Sequence, residues 1–156
     1  MNRYCKVLNK MWLNTLIMVI FATLVAAIYI WKFANISILS GIWAKYYPFL
    51  AMMLMIICLF LGNNITAKKI KTLRNEDLTK KLTEYKTIYS KRLKFFSAIS
   101  LIAVVSMIMF ASMYYIIFSI LSLLLIIFSR VMSVKVKYEL NLTEEEIKKV
   151  DKLKIK

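Results

Sequence analysis

The hydrophobic residues of this chain fall into three long uncharged blocks separated by basic segments. The blocks run over residues 11–31, 46–67 and 95–129, and lysine or arginine brackets each of them. A helix needs about 20 apolar residues to cross a bilayer core of about 30 Å. Each block is long enough for at least one crossing, so the pattern predicts an all-α integral membrane protein.

The third block is too long for a single crossing. As one helix, residues 95–129 would extend about 52 Å, far beyond the bilayer core. Two crossings of about 17 residues each fit better, although both are short. Met113, Tyr114 and Tyr115 lie near the middle of the block, and tyrosine favours the membrane interface. We therefore predict an outer turn here; the alternative is that both tyrosines face another helix.

The distribution of basic residues fixes the predicted orientation. With a cytoplasmic N-terminus, four crossings place every lysine and arginine inside except Lys32 and Lys45. Three crossings would instead move the basic tail outside, against the strong bias of positive residues towards cytoplasmic loops. The predicted architecture is therefore four transmembrane helices in two hairpins, with the N- and C-termini cytoplasmic.

This topology divides the chain into five segments. They are a basic N-terminal arm (1–10), a first transmembrane hairpin (11–67), a basic cytoplasmic amphipathic helix (68–94), a second transmembrane hairpin (95–129) and a basic cytoplasmic tail (130–156). The first apolar block exceeds the roughly 7–15 residues of a signal-peptide core, which favours a retained helix.

Local signals predict where several elements begin and end. Gly62-Asn63-Asn64 predicts the end of the second helix, and Asn75 predicts the cap of a long helix from Glu76 to about Ala111. The alternation over 130–137 predicts a short strand or an extended exit from the membrane. The capping box that begins at Thr143 predicts a helix that continues to the end of the chain.

An apolar stripe precedes the third crossing at three- and four-residue spacing. Such a stripe needs a covering surface, which is a lipid surface, the tail helix or another subunit. The predicted docking residues, with the flanking cations, are Leu78, Leu82, Tyr85, Lys86, Tyr89, Lys91 and Arg92.

Small and mildly polar residues occur within the apolar blocks. Side chains of this kind allow close helix packing and hydrogen bonds within a membrane. The predicted packing residues are Asn14, Ala22, Ala26, Ser100 and Ser106. The alternative is a pore lined by their hydroxyl groups.

The chemistry-bearing residues indicate no enzyme. The chain has no histidine, only two cysteines and two glycines, and all eight acidic residues lie outside the apolar blocks. Proton-coupled transport and intramembrane proteolysis need ionisable, nucleophilic or metal-binding groups within the membrane. We therefore predict no catalytic residues, no metal and no cofactor.

The net charge of +15 makes the cytoplasmic face the strongest candidate for function. An anionic inner leaflet attracts each nearby basic residue by about 1 kcal/mol. The alternative is that these charges only set the orientation of the protein in the membrane. Expected partners are this bilayer and a second copy or another membrane protein; nucleic acid is disfavoured.

The predicted function is that of a non-enzymatic membrane protein that acts by helix association, as a homo-oligomer or as a subunit of a membrane complex with a basic docking face. The alternatives are an oligomeric pore former of the holin or defence-effector kind, or an immunity or accessory protein. The abundance of lysine, isoleucine, asparagine and tyrosine suggests a bacterial chain, and hence a multi-pass protein of the cell inner (plasma) membrane.

Overall fold

The computed structural model describes residues 1–33 and 42–150, which form helices and short connections. Residues 34–41 of the predicted first hairpin and residues 151–156, the last six of the predicted tail helix, lie outside the described residues. Among the described residues there is no β-strand, in agreement with the predicted all-α class.

Seven α-helices follow one another along the described chain. They are α1 (Asn2–Phe33), α2 (Ile42–Phe60), α3 (Thr66–Thr72), α4 (Leu78–Phe110), α5 (Ile116–Phe128), α6 (Ser133–Leu140) and α7 (Glu144–Val150). A π-helical turn, Leu61–Ile65, joins α2 to α3, and 3₁₀ turns occupy Leu73–Asn75 and Met113–Tyr115.

Three helical segments are long and apolar enough to cross a membrane: Arg3–Phe33, Lys45–Asn75 and Leu78–Phe110. A fourth candidate is a bent pair of helical segments, Met113–Phe128 and Ser133–Leu140, which are long and apolar enough only when taken together and meet at an angle of 81°. The protein is therefore a multi-pass helical membrane protein with three or four crossings.

The helices are organised around α4. Helices α1, α2 and α5 all pack on α4, and α1 also packs on α5, whereas α1 and α2 have hardly any contact with each other. The second predicted hairpin is therefore a packed pair, while the two helices of the first lie on α4. Buried small residues on α4, including Ser100, Ala103 and Ser106, allow its neighbours to approach closely.

Residues 2–10, predicted as a separate basic arm, belong to α1 and continue directly into the first apolar block. The reason is an apolar face at helical spacing. Tyr4, Cys5 and Leu8 are buried in the same core as Leu82 and Tyr85 of α4, so this first part of α1 is fixed by packing.

The second helix, predicted to end near Gly62-Asn63-Asn64, ends as an α-helix at Phe60, but the chain stays helical through the π turn into α3. Gly62 instead permits a close approach between helices. A Cβ atom on it would lie 2.9 Å from Cε1 of Phe96 and 3.2 Å from Cβ of Phe95. Thr66 donates its hydroxyl hydrogen bond to the Gly62 carbonyl, which satisfies an acceptor in the loosened turn.

The predicted long helix is confirmed, and the chain turns at the position predicted for the turn between the third and fourth helices. Helix α4 spans Leu78–Phe110, although Asp77 rather than Asn75 is its N-cap. It ends at Ala111, whose φ of 47° lies in the left-handed region, and Ser112 N–H donates back to the Met107 carbonyl at 3.3 Å. The chain then reverses through the 3₁₀ turn at Met113–Tyr115.

The strand or extended exit predicted for 130–137 is wrong from Ser133 onward, where α6 begins. Val136 and Leu140, four residues apart, are both buried, so a helical face outweighs the alternation. The capping box is confirmed: Thr143 N–H donates to Glu146 Oε2 at 2.9 Å and Glu146 N–H donates to Thr143 Oγ1 at 3.3 Å.

The contact at Gly62 predicts that Gly62→Val lowers stability. The added side chain must displace aromatic rings of α4, and overpacking of this kind costs about 1–3 kcal/mol. Thermal unfolding in detergent, followed by helical circular dichroism, should show a lower midpoint. Ala67→Val, at an exposed position in α3, is the control and should leave the midpoint nearly unchanged. Equal midpoints for both variants would contradict the close contact.

Candidate functional site

The apolar stripe at the start of α4 is covered by the chain itself. Leu82, Tyr85 and Tyr89 are buried and Leu78 is half-buried. The stripe, for which a lipid surface, the tail helix or another subunit was the predicted cover, is therefore covered within the chain. Among the predicted occupants, the tail is the one that packs here, together with the first turns of α1, which the sequence did not indicate.

Three tyrosine hydroxyls connect other elements to this part of α4. Tyr4 donates to the Leu82 carbonyl at 2.7 Å, which connects α1 to α4. Tyr89 donates to the Ser129 carbonyl at 2.9 Å, and Tyr85 donates to Glu139 Oε2 at 2.5 Å. The chain's beginning and its tail therefore meet at the same end of α4.

An ion pair attaches α7 to α4. Lys81 Nζ lies 3.1 Å from Glu146 Oε1, and the Lys81 side chain is 8% exposed. Partial burial by itself raises the pKa of the Glu146 carboxyl, but the hydrogen bond from Thr143 N–H and the bond and charge of Lys81 outweigh it and lower the pKa. Glu146 thus caps its own helix and neutralises a buried cation.

A tryptophan and an arginine join α1 to the end of α5. Trp12 Nε1 donates to the Ile126 carbonyl at 2.7 Å, and Arg130 Cζ lies 5.6 Å from the centroid of a Trp12 ring. The carbonyl of Ile126 lies in the last turn of α5 and also accepts the Ser129 N–H at 3.0 Å, so the tryptophan uses its second lone pair. Tryptophan at this depth is typical of a membrane interface.

The three predicted docking cations have different surroundings. Lys86 and Arg92 are half-buried, whereas Lys91 is exposed. Arg92 lines a cavity of about 370 Å³ between the π turn, α3, α4 and α6. Its walls carry three cationic side chains, Lys71, Arg74 and Arg92, and one carboxylate, Glu139. We call this space the basic cavity.

The two arginines of the basic cavity are held by neutral oxygens. Arg92 Nη2 donates to Asn63 Oδ1 at 3.4 Å, and its guanidinium carbon lies 5.6 Å from the centroid of the Phe96 ring. Arg92 Nε is buried without a hydrogen-bond partner. Arg74 Nε donates to the Glu139 carbonyl at 3.2 Å. Among the described residues, no carboxylate lies within 4.0 Å of either guanidinium.

Another cation lies near the cavity on α6. Burial lowers the pKa of Lys135; the charge of Glu139 acts against this shift, and the charge of Arg92 adds to it. The Glu139 carboxylate accepts the hydrogen bond of Tyr85. Positive charge therefore exceeds negative charge around the cavity.

A chain of hydroxyl groups joins three helices within the uncharged apolar blocks. Thr23 and Ser119 oxygens lie 2.5 Å apart, and Ser119 and Ser100 oxygens lie 3.0 Å apart. Thr23 also donates towards the Val19 carbonyl at 2.8 Å. The cluster connects α1, α5 and α4 and is buried, so these hydroxyls serve packing rather than contact with solvent.

The predicted packing residues separate into two groups. Ala26, Ser100 and Ser106 are buried and Ala22 is half-buried. Asn14, in contrast, is exposed on α1, and within the described part of the chain no polar group bonds to its side chain. A hydrogen bond from Asn14 to another helix of the same chain is thus not formed.

The basic cavity was not predicted as a unit. Arg92 was a candidate, but Asn63, Arg74 and Glu139 were not. The wall residues are separated by up to 76 positions in sequence (63 to 139), and no spacing rule connects them. The one local signal was Gly62-Asn63-Asn64, which indicates an irregular backbone; π turns frequently occur at functional sites.

The Tyr85–Glu139 bond predicts a loss of stability in Tyr85→Phe. A hydrogen bond to a charged group contributes about 1.5–3 kcal/mol, and the variant leaves a partly buried carboxylate without this donor. Thermal or denaturant unfolding in detergent measures the loss. Tyr138→Phe is the matched control, because the Tyr138 side chain is 81% exposed. If the two variants unfold alike, the bond does not hold the tail to α4.

Neither a metal-binding group nor a related protein identifies a site in the described residues. Across residues 1–33 and 42–150, no three histidine, cysteine, aspartate or glutamate side chains are grouped to hold a metal ion. Comparison with protein families, curated proteins and solved structures finds no match for this chain. The candidate site is therefore defined by its own geometry: a closed helical cluster at one end of α4, with the basic cavity at its edge.

Proposed function

We propose that this chain is a non-enzymatic, multi-pass plasma-membrane protein that acts by association of its helices with a second copy in the membrane. The observation that carries the proposal is Asn14, a polar amide that is exposed on α1 inside an uncharged block.

Four crossings with cytoplasmic termini are supported by the contacts at one end of α4. Tyr4 near the start of the chain and Glu139 in the tail both bond to this end, as an even number of crossings requires. This end also carries most of the basic residues, and the positive-inside bias assigns it to the cytoplasm. The fourth crossing is short, about 24 Å for 16 residues, which a slightly thinned bilayer accommodates.

The second copy is favoured by the chemistry of the exposed amide. Asparagine carries both a donor and an acceptor, and a twofold axis places identical residues opposite each other. Two Asn14 side chains are therefore complementary to each other. Hydrogen bonds between membrane helices contribute about 0.6–2 kcal/mol. The apolar side chains of the same exposed surface, Leu13, Ile17, Met18 and Phe21, would pack around this pair.

The pore alternative has less support. It depends on hydroxyl groups that line a channel, but Thr23, Ser100 and Ser119 bond to one another within the chain. An accessory or immunity role stays a prediction, and any partner at the cytoplasmic end would meet the exposed lysines rather than the covered apolar stripe.

The topology predicts the labelling of single cysteines by a membrane-impermeant maleimide. In a background with Cys5→Ala and Cys58→Ala, Arg3→Cys and Lys148→Cys should react only after the cells are permeabilised. Lys32→Cys is the outside control and should react in intact cells. All three positions are exposed, so access to the reagent depends on the membrane. Reaction of Lys148→Cys in intact cells would show an odd number of crossings.

The association predicts disulfide crosslinking through α1. In the same background, Met18→Cys lies one helical turn from Asn14 and should form dimers in native membranes under mild oxidation. Ile57→Cys, which is similarly exposed on α2, is the matched control and should crosslink much less.

Adding Asn14→Leu to the Met18→Cys protein should weaken dimer formation about 3- to 30-fold, because the polar pair is lost. Equal crosslinking at Met18→Cys and Ile57→Cys would indicate random collisions and would reject the proposed interface. An unchanged yield in Asn14→Leu would reject the role of the amide.

A further inference from the structure

We propose that the basic cavity binds one phosphate-bearing anion, with the headgroup of an anionic phospholipid of the inner leaflet as its source. The site is independent of the α1 surface, because it is formed by the π turn, α3, α4 and α6. The proposal is therefore more specific than a general attraction between a basic face and an anionic leaflet, because particular residues of the cavity bind the anion.

The basic cavity carries positive charge that is not compensated by its own residues. Lys71, Arg74 and Arg92 line the cavity, and Glu139 is the one carboxylate on its walls. That carboxylate accepts a hydrogen bond from Tyr85, while the backbone carbonyl of Glu139 holds Arg74. Glu139 therefore positions Arg74 without forming an ion pair with it. An anion in the cavity would compensate the remaining charge.

The half-buried Arg92 carries one buried donor that lacks an acceptor. Its Nε has no partner, and its bond to Asn63 is long at 3.4 Å. A buried donor without an acceptor costs about 1–3 kcal/mol, and more when it is charged. Arginine presents a planar fork of donors that matches phosphate oxygens. A phosphate oxygen beside Arg92 would supply the missing acceptor.

The position of Arg92 along α4 indicates its depth in the bilayer. Ser100 of the buried hydroxyl cluster follows Arg92 by eight residues and precedes Phe110 by ten. At 1.5 Å per residue, the helix from Arg92 to Phe110 covers about 27 Å, close to the thickness of the apolar core. Arg92 therefore lies at the inner boundary of the bilayer, where lipid phosphates are found.

The size and lining of the cavity fit a headgroup. Its volume is about 370 Å³, within the range of about 300–1,000 Å³ that is common for small-molecule sites. Ala67 and Ile70 add apolar wall next to the cations, which suits the glycerol part of a phospholipid. Basic pockets between membrane helices on the cytoplasmic side bind anionic headgroups in this way.

Native mass spectrometry of the full-length protein tests the site. Protein in detergent is mixed with phosphatidylglycerol or, separately, with phosphatidylcholine, and bound lipid is counted as collision energy is raised. The test variant is Arg74→Gln/Arg92→Gln. The matched control is Lys91→Gln/Lys94→Gln, which removes the same charge from exposed positions of α4 that do not line the cavity.

The wild-type protein and the lysine control should retain one phosphatidylglycerol, in preference to phosphatidylcholine. The arginine variant should bind phosphatidylglycerol at least tenfold more weakly. Equal weakening in both variants would show diffuse attraction and would overturn the proposal, as would undiminished binding in the arginine variant. Circular dichroism verifies the fold, and Arg92→Lys, which keeps the charge without the planar fork, should recover binding only in part.

A second experiment distinguishes a phosphate that belongs to a lipid headgroup from a phosphate that belongs to a soluble ligand. Thermal unfolding is measured without lipid, in the presence of inorganic phosphate or glycerol phosphate. If the headgroup of a lipid is the ligand, these salts should raise the midpoint little, and phosphatidylglycerol should raise it clearly. An equally large rise with glycerol phosphate that is absent from the arginine variant would keep the phosphate site but assign it a soluble ligand.

Discussion

The whole fold depends on the packing of other helices around α4. This one helix has buried residues along almost its full length, from Leu82 near the start to Met107 near the end. Helices α1, α2 and α5 each rest on it, and so does the tail. In water such a helix would gain stability from apolar burial, but within lipid its neighbours are held by close packing and hydrogen bonds. Small residues such as Ala103 and Ser106 therefore contribute as much as large ones.

Polar side chains hold the bundle together mainly by bonding to backbone carbonyls. Tyr4, Trp12, Tyr89 and Ser122 all donate to a carbonyl of another element, for example Ser122 to the Phe96 carbonyl at 2.6 Å. Carbonyls have a second lone pair even when a helix uses the first, so such bonds do not disrupt the helices. These contacts fix which helix lies beside which without placing a charge in the membrane.

Local features of the sequence were predictable, whereas contacts between distant segments were not. The length of α4, the turn at Met113–Tyr115 and the capping box at Thr143 follow from spacing and residue type alone. The stripe around Tyr85 was also correctly identified as needing a cover. The segments that cover the stripe were not predictable, because nothing in the sequence at the start of α1 or in α6 indicates that their apolar residues pack on α4. The basic cavity escaped prediction for the same reason, since Asn63 and Glu139 meet only after folding.

The wide π-helical turn at Leu61–Ile65 joins α2 and α3 into one continuous helical segment that packs on α4. Gly62, Thr66 and Ile70 are spaced by four, and over these eight residues an ordinary α-helix would rotate the last side chain by about 80° away from the first. The wider π-helical turn absorbs this rotation, so that α2 and α3 both keep one side against α4. The exposed residues of α2 and those of α3 are thereby free to vary separately, because a single loosened turn keeps the two helices aligned.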